Sequence, residues 1–254
     1  MTVSDGAVLA ASAALESVDS VAALFQPVVE LSTGHVVGYE ALARWPSPSS
    51  ALPEDVFALA RERGLVGRVD VACRAAALRA ARERAYSRRV RFFLNIEPGC
   101  FRDEQDVDMH LDAIGDDLDV VLEITERDLD RNVPLLMALV RGARARGMGV
   151  AMDDVGATPA TLDLLALVAP DIVKLDASIV RAPLRSRPAM RQVHAYVRSS
   201  NAIVLAEGIE TRRHLRRARA LGASLGQGWM FGRPLAAAES DRRPVTEKNP
   251  APEP

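Results

Sequence analysis

One pattern narrows the folds open to this chain more than any other. After an opening pair of strands, strand and helix alternate six times, and each strand after the first ends on a polar residue. Phe25 to Leu31 and Val36 to Ala43 read as strands, and Ser32-Thr33-Gly34-His35 between them is turn chemistry, so the two form a hairpin. Further strand-like runs cover 90–97, 120–126, 149–153, 171–176, 202–208 and 224–229. Between them, 53–63, 69–84, 103–114, 133–146, 159–168, 187–200 and 211–221 carry helical spacing. Alternation of this kind builds a parallel sheet. Eight strands in about 210 residues favour closure over an open doubly wound sheet, and no Gly-x-Gly-x-x-Gly fingerprint supports a dinucleotide fold. The expected class is α/β: a (β/α)8 TIM-like barrel with one antiparallel strand from the N-terminal hairpin. Residues 1–20 are expected as an arm or short helix, 21–236 as the barrel, and 237–254, polar and Pro-rich, as a disordered tail.

Composition removes several function classes. Of 254 residues 48% are hydrophobic, enough for a substantial core, and the formal net charge is -2. That balance gives no nucleic-acid footprint, so neither DNA nor RNA is expected as a partner. Cys73 and Cys100 fit no zinc spacing and no disulfide framework, which suits a reducing cytoplasm. The apolar run Ala7 to Leu15 follows Asp5 and no basic residue, unlike a signal peptide. No run approaches the roughly 18 apolar residues of a membrane span.

The strand ends carry Glu40, Asn95, Glu123, Asp153 with Asp154, Lys174, Glu207 and Gln227. In a parallel barrel the C-terminal strand ends form the catalytic rim. A single polar residue there is ordinarily a satisfied core group; seven strands supplying one at the same level is not packing. Asp153 and Asp154 are adjacent, and neighbours on a strand point to opposite faces. Both reach one site only where the backbone turns, at a strand end. Taken alone, the pair is equally a turn and helix cap. Carboxylates held this close repel unless a proton or cation intervenes. Hard oxygen ligands with an amide, and no imidazole or thiolate, select Mg²⁺, Mn²⁺ or Ca²⁺ over zinc. Two such ions sharing carboxylates are the arrangement of in-line phosphoryl chemistry. Lys174 could orient the attacking water or neutralise phosphate. His35, His110, His194 and His214 lie away from strand ends.

Together these residues resemble the EAL domains, phosphodiesterases that hydrolyse cyclic di-GMP to linear pGpG. The resemblance runs over about residues 22–236. It is carried by Glu40-Ala41-Leu42-Ala43-Arg44, Asn95, Leu122-Glu123-Ile124-Thr125-Glu126, Asp153-Asp154, Lys174-Leu175-Asp176, Glu207-Gly208-Ile209-Glu210-Thr211 and Gln227-Gly228. It implies metal ligands at Glu40, Asn95, Glu123, Asp153 and Asp154, and catalytic roles for Glu40, Lys174 and Glu207. Arg44, Leu42 and Gln227 would bind substrate, and Glu126 would brace the loop after Asp154. The implied cofactors are two Mg²⁺ or Mn²⁺ ions, with Ca²⁺ inhibitory, and a homodimer is a candidate assembly. Where the family continues Asp-Asp-Phe-Gly-Thr-Gly-x-Ser-Ser, this chain reads Asp153-Asp154-Val155-Gly156-Ala157-Thr158-Pro159-Ala160-Thr161, and Glu97 stands where Ser is common. Neither change removes an implied ligand.

Two other readings stay open. One is a catalytically silent receptor for cyclic di-GMP, or a protein-interaction module; all the acids are present, which argues for the enzyme. The other is a barrel hydrolase of a different phosphodiester, which fits the acids but not the wider motif set. No sensor segment is recognisable, so input is expected from a partner, an effector or expression level.

Overall fold

The computed structural model describes residues 5–46, 51–83, 90–125, 132–157, 162–181 and 187–237. Its strands are β1 (Ala22–Glu30), β2 (Val36–Arg44), β3 (Arg91–Ile96), β4 (Asp119–Ile124), β5 (Gly149–Val155), β6 (Ile172–Leu175), β7 (Ile203–Ala206), β8 (Leu225–Gln227) and β9 (Leu235–Ala236). Strands β2 to β8 are parallel neighbours in chain order. Strand β1 runs antiparallel between β2 and β8 and closes the ring, Gln26 opposite Glu40 on one side and Val28 opposite Gln227 on the other. The expected barrel with one antiparallel strand is what the chain forms. Reversal of β1 has a consequence for the site: its first half, not its end, reaches the rim where the other strands finish.

The helices are α1 (Asp5–Glu16), α2 (Pro53–Glu62), α3 (Val66–Glu83), α4 (Glu104–Asp112), α5 (Val133–Ala145), α6 (Leu165–Val168), α7 (Ala177–Arg181), α8 (Arg187–Ser200) and α9 (Arg212–Ala220). Their starts obey local rules. Asp103 accepts from the amide of Asp106, Asn132 from that of Leu135 and Thr211 from that of His214, each covering an amide the helix leaves unpaired. Outward-facing strand residues such as Leu122, Ile124, Val150, Met152, Val173 and Val204 pack against helix residues such as Leu111, Leu136, Val140 and Val193. A second cluster joins Ala11, Ala14 and Leu15 of α1 to Trp45, Val56 and Val69. No helix among the described residues is long and apolar enough to cross a membrane.

Three local features differ from the sequence pattern. The last parallel strand stops at Gln227 rather than Trp229, because Gly228 turns the chain with φ 150° while buried against the Ile209 backbone. Leu235–Ala236 returns to pair with Leu24 and Phe25, a two-residue strand too short to leave a periodic signal. The helical pattern over 159–168 is broken by a turn at Leu164, with Leu162 and Asp163 helical before it and Leu165–Val168 after it. The tail from Ala238 lies outside the described residues.

Candidate active site

Inside the barrel, one apolar layer plugs the bore: Val28, Phe93, Val121, Ala151, Ile172, Leu205 and Leu225. Alternate residues of a strand share a face. Two positions further along each parallel strand, on the same inward face, stand Asn95, Glu123, Asp153, Lys174, Glu207 and Gln227. The polar ring is therefore the next layer above the plug. Its register is fixed by the same pairing that fixes the core, as in Asn95 opposite Glu123. On β2 the plug position beneath Glu40 is Gly38. A Cβ there would lie 2.8 Å from the Phe93 ring, which fills the space instead.

Strand β5 does not stop before its acids; it runs through them to Val155. Met152 faces Val173 and Val155 faces Leu175, so Asp153 and Asp154 together oppose the single residue Lys174. This is a β-bulge, which inserts one residue and re-aims a side chain. Asp154 takes the left-handed conformation, φ 51°, which Asp tolerates better than most residues. The bulge, rather than a strand end, lets two adjacent acids serve one site. Asp153, Asp154 and Glu207 bring carboxylate oxygens within 4.8 Å of one another.

Lys174 stands at the centre with no exposed surface. Its Nζ is 2.6 Å from Glu123 Oε1, 2.9 Å from Asp153 Oδ1, 2.9 Å from Glu207 Oε1 and 3.7 Å from Glu40 Oε1. Burial alone would favour the neutral amine, but Asp153, Glu123, Glu207 and Glu40 together outweigh it and hold the ammonium well above its ordinary pKa. One ammonium cannot neutralise five carboxylates. Burial, then the charges of Glu40 and Asp153, push the Glu123 carboxyl well above its ordinary range against the pull of Lys174. Glu207 is pushed up to about 8 by burial, Asp153 and Glu40.

The site also contains a residue that strand-end reasoning passes over. Gln26 is buried on β1, its Oε1 accepting from Gln227 Nε2 at 3.0 Å and its Nε2 donating to the Gly232 carbonyl at 3.1 Å. Gln227 Nε2 donates to Glu40 Oε2 as well. The first strand thus does contribute a polar group, from its middle. Only recognition of β1 as the reversed strand could have found it. Arg44 and Leu42, beyond Glu40 on β2, line a cavity of about 380 Å³. The same cavity is lined by Asn95, Asp153 and Asp154 and by the buried Asp70–Arg74 ion pair on α3. Glu126, Thr158, Pro159, Ala160 and Thr161 lie outside the described residues. Val155 is fully buried in the outer core, and Gly156 makes the next turn at φ 92°.

The donor set suits a hard divalent cation. Glu123 Oε2 and Gln227 Oε1 are buried without a hydrogen-bond donor, while Glu123 Oε1 meets the Lys174 ammonium at 2.6 Å. Oxygen atoms from Asp153, Asp154, Glu207, Glu40, Glu123 and Asn95 gather with no imidazole or thiol among them. Metal binding needs the carboxylates ionised. Because Glu207 holds its proton up to about pH 8, a cation must displace it. Mn²⁺ binding should therefore release protons and tighten as pH rises toward about 8. Calorimetry in buffers of different ionisation enthalpy counts those protons; none released near neutrality would contradict the geometry. In the metal-free protein the sign is opposite. The fold keeps a proton that the unfolded chain loses, so this group's contribution to stability falls as pH climbs from about 4.5 to about 8.

Known proteins share this fold and up to about a third of the aligned residues. The family model of the EAL domain matches residues 10–234. An uncharacterized protein of Sinorhizobium fredii is 32% identical over 226 residues, which cover 85% of this chain and 27% of that protein. A Pseudomonas aeruginosa protein named as a cyclic di-GMP phosphodiesterase is 29% identical over 228 residues, 84% of this chain and 38% of its own length. Among solved structures, Klebsiella pneumoniae BlrP1 in complex with calcium and cyclic di-GMP is 28% identical with TM-score 0.73, over 86% of this chain and 56% of that one. The same protein is also solved with manganese and cyclic di-GMP. The chain thus spans between about a quarter and two-fifths of these curated relatives.

Proposed function

Since the chain belongs to the EAL domain family, we propose that it is a metal-dependent phosphodiesterase that hydrolyses cyclic di-GMP to linear pGpG. The observation that carries this reading is the ring itself: Glu40, Asn95, Glu123, Asp153, Asp154, Lys174 and Glu207 meet at one barrel rim, beside a cavity lined by Arg44. Glu40, Asn95, Glu123, Asp153 and Asp154 would hold two Mg²⁺ or Mn²⁺ ions. When bound, such ions supply Lewis-acid polarisation of the phosphodiester and a water of lowered pKa.

The chain's own residues do the rest. Arg44 and Leu42 hold the substrate against the β2 edge, the guanidinium on a phosphate oxygen. Lys174 orients the attacking water and offsets charge that builds on the phosphoryl oxygens. Glu207, once cation binding has displaced its own proton, accepts the water's proton. Oxygen attacks one phosphorus, that phosphorus releases its O3′, and the O3′ takes up a proton. The product is linear pGpG with a free 3′-hydroxyl and a terminal 5′-phosphate. Gln227 and Gln26 keep the Glu40 carboxylate in its orientation.

The test is direct. Purified protein with Mn²⁺ or Mg²⁺ should convert cyclic di-GMP to pGpG, followed by chromatography. Excess EDTA should abolish the conversion. Ca²⁺ should compete and inhibit, because its longer and looser coordination holds the water poorly. Full turnover in EDTA sinks the metal reading. Tight cyclic di-GMP binding with no turnover under any metal would indicate a receptor.

A further inference from the structure

Trp229 is the most exposed aromatic side chain among the described residues, with 58% of its surface accessible. Its neighbours behave differently: Met230 and Phe231 turn inward onto the core. The exposed indole is nevertheless held. The Arg233 guanidinium sits over its ring at 4.5 Å from the centroid, covering one face with a cation. The turn that carries it is fixed on several sides. Ile209 N–H donates to the Gln227 carbonyl, Met230 N–H to Ile209, and Phe231 N–H to Gly228. Gln26 Nε2 closes the turn on the Gly232 carbonyl. Trp229 is thus braced by the same side chain that supports Gln227 and Glu40 in the polar ring.

Its place on the barrel fits a ligand. Trp229 follows β8 by two residues, on the face where the parallel strands end. Strand β8 is separated from β2 only by β1, so the two flanks lie about 10 Å apart at ordinary strand spacing. The cavity described above opens on the β2, α2 and α3 flank and does not include Trp229. Cyclic di-GMP carries two guanines on opposite sides of its phosphodiester ring. One flank of the rim offers a cavity; the other offers a braced, exposed indole. We infer that the free face of Trp229, backed by Arg233, is the stacking platform for one guanine of cyclic di-GMP. This inference rests on the substrate proposed above and extends it to a base contact away from the metal centre. Stacking tolerates any base, so the platform adds affinity while purine selection falls to polar groups elsewhere.

The experiment uses the intact chain with Ca²⁺ in place of Mn²⁺, so that cyclic di-GMP is bound without turnover, and reads both tryptophan fluorescence and calorimetric affinity. The second tryptophan, Trp45, is buried at 4% exposure. Cyclic di-GMP should quench the wild-type emission saturably, and Trp229→Phe should lose the quench while keeping affinity within about threefold, since phenylalanine still stacks. Trp229→Ala should weaken binding by about 5- to 100-fold. Exposure of the side chain means the Trp229→Ala melting temperature should stay near that of wild type. If that variant folds poorly, the wild-type quench and its loss in Trp229→Phe decide alone. Wild-type affinity in folded Trp229→Ala, or calorimetric binding by wild type without any quench, overturns the platform and leaves the enzyme reading intact. Absence of cyclic di-GMP binding to wild type overturns both.

Discussion

Lys174→Ala should eliminate turnover and destabilise the metal-free protein more than any other single change at the site. The ammonium is fully buried between Glu123, Asp153 and Glu207, with Glu40 slightly further away. Removing one partner of a buried ion pair leaves charge without compensation, an effect of about 3–5 kcal/mol. Proton uptake by Glu207 and Glu123 softens it, so the loss should sit near the lower end and grow as pH rises. Added Mn²⁺ should restore part of the lost stability, because it supplies the missing positive charge. Turnover should not return if, as proposed, Lys174 orients the attacking water; the expected decrease is about 100-fold or more. Thermal melting with and without Mn²⁺, alongside pGpG formation, reads both parts. A variant as stable as wild type without metal would mean the lysine does not neutralise this cluster.

Glu40→Ala should be equally severe for activity and mild for stability. On the proposed reading Glu40 is a metal ligand, and its loss would remove several kcal/mol of transition-state stabilisation, which corresponds to a decrease of about 100-fold or more. In the metal-free protein, however, Glu40 is the most distant of the four acids around Lys174, at 3.7 Å. Truncation relieves repulsion among the remaining carboxylates. It also removes an acceptor from Gln227 Nε2, but that amide keeps Gln26 Oε1. The two effects oppose each other, so the melting temperature without metal should be unchanged or slightly higher. Near-wild-type turnover would show that Glu40 is no ligand.

The contrast between these variants separates what the amino-acid sequence discloses of the site from what only three dimensions disclose. The ring members are legible in sequence because each interrupts an apolar strand toward its C-terminal side, and closure of the barrel brings four of the acids around Lys174. Gln26 is not legible, since it lies mid-strand in a run that reads as ordinary until β1 is known to be reversed. The Asp153-Asp154 pair stands out in sequence for a reason only half right. The required turn exists, but as a bulge inside β5 with Asp154 left-handed, and sequence periodicity gives no signal for an inserted residue. A role for Lys174 toward substrate follows from its strand end; its part as the internal counter-ion of Glu123, Asp153 and Glu207 requires distances. The short return strand Leu235–Ala236 depends wholly on tertiary pairing.

Closure by β1 also dictates an order of assembly. The first barrel strand to leave the ribosome is the last to be fully paired, because its partner β8 emerges near the far end of the barrel. The bond between Gln26 and Gln227 spans 201 positions of chain. Until it forms, β1 can hold only its hairpin partner, and the open seam presents unpaired backbone edges on both sides. Contacts this distant are slow to form. A nascent chain halted before Leu225 would carry all five carboxylates of the ring yet lack the amide that steadies Glu40. Completion of the polar ring therefore coincides with closure of the barrel, and chains cut short of it should accumulate as sticky intermediates that lack a finished site.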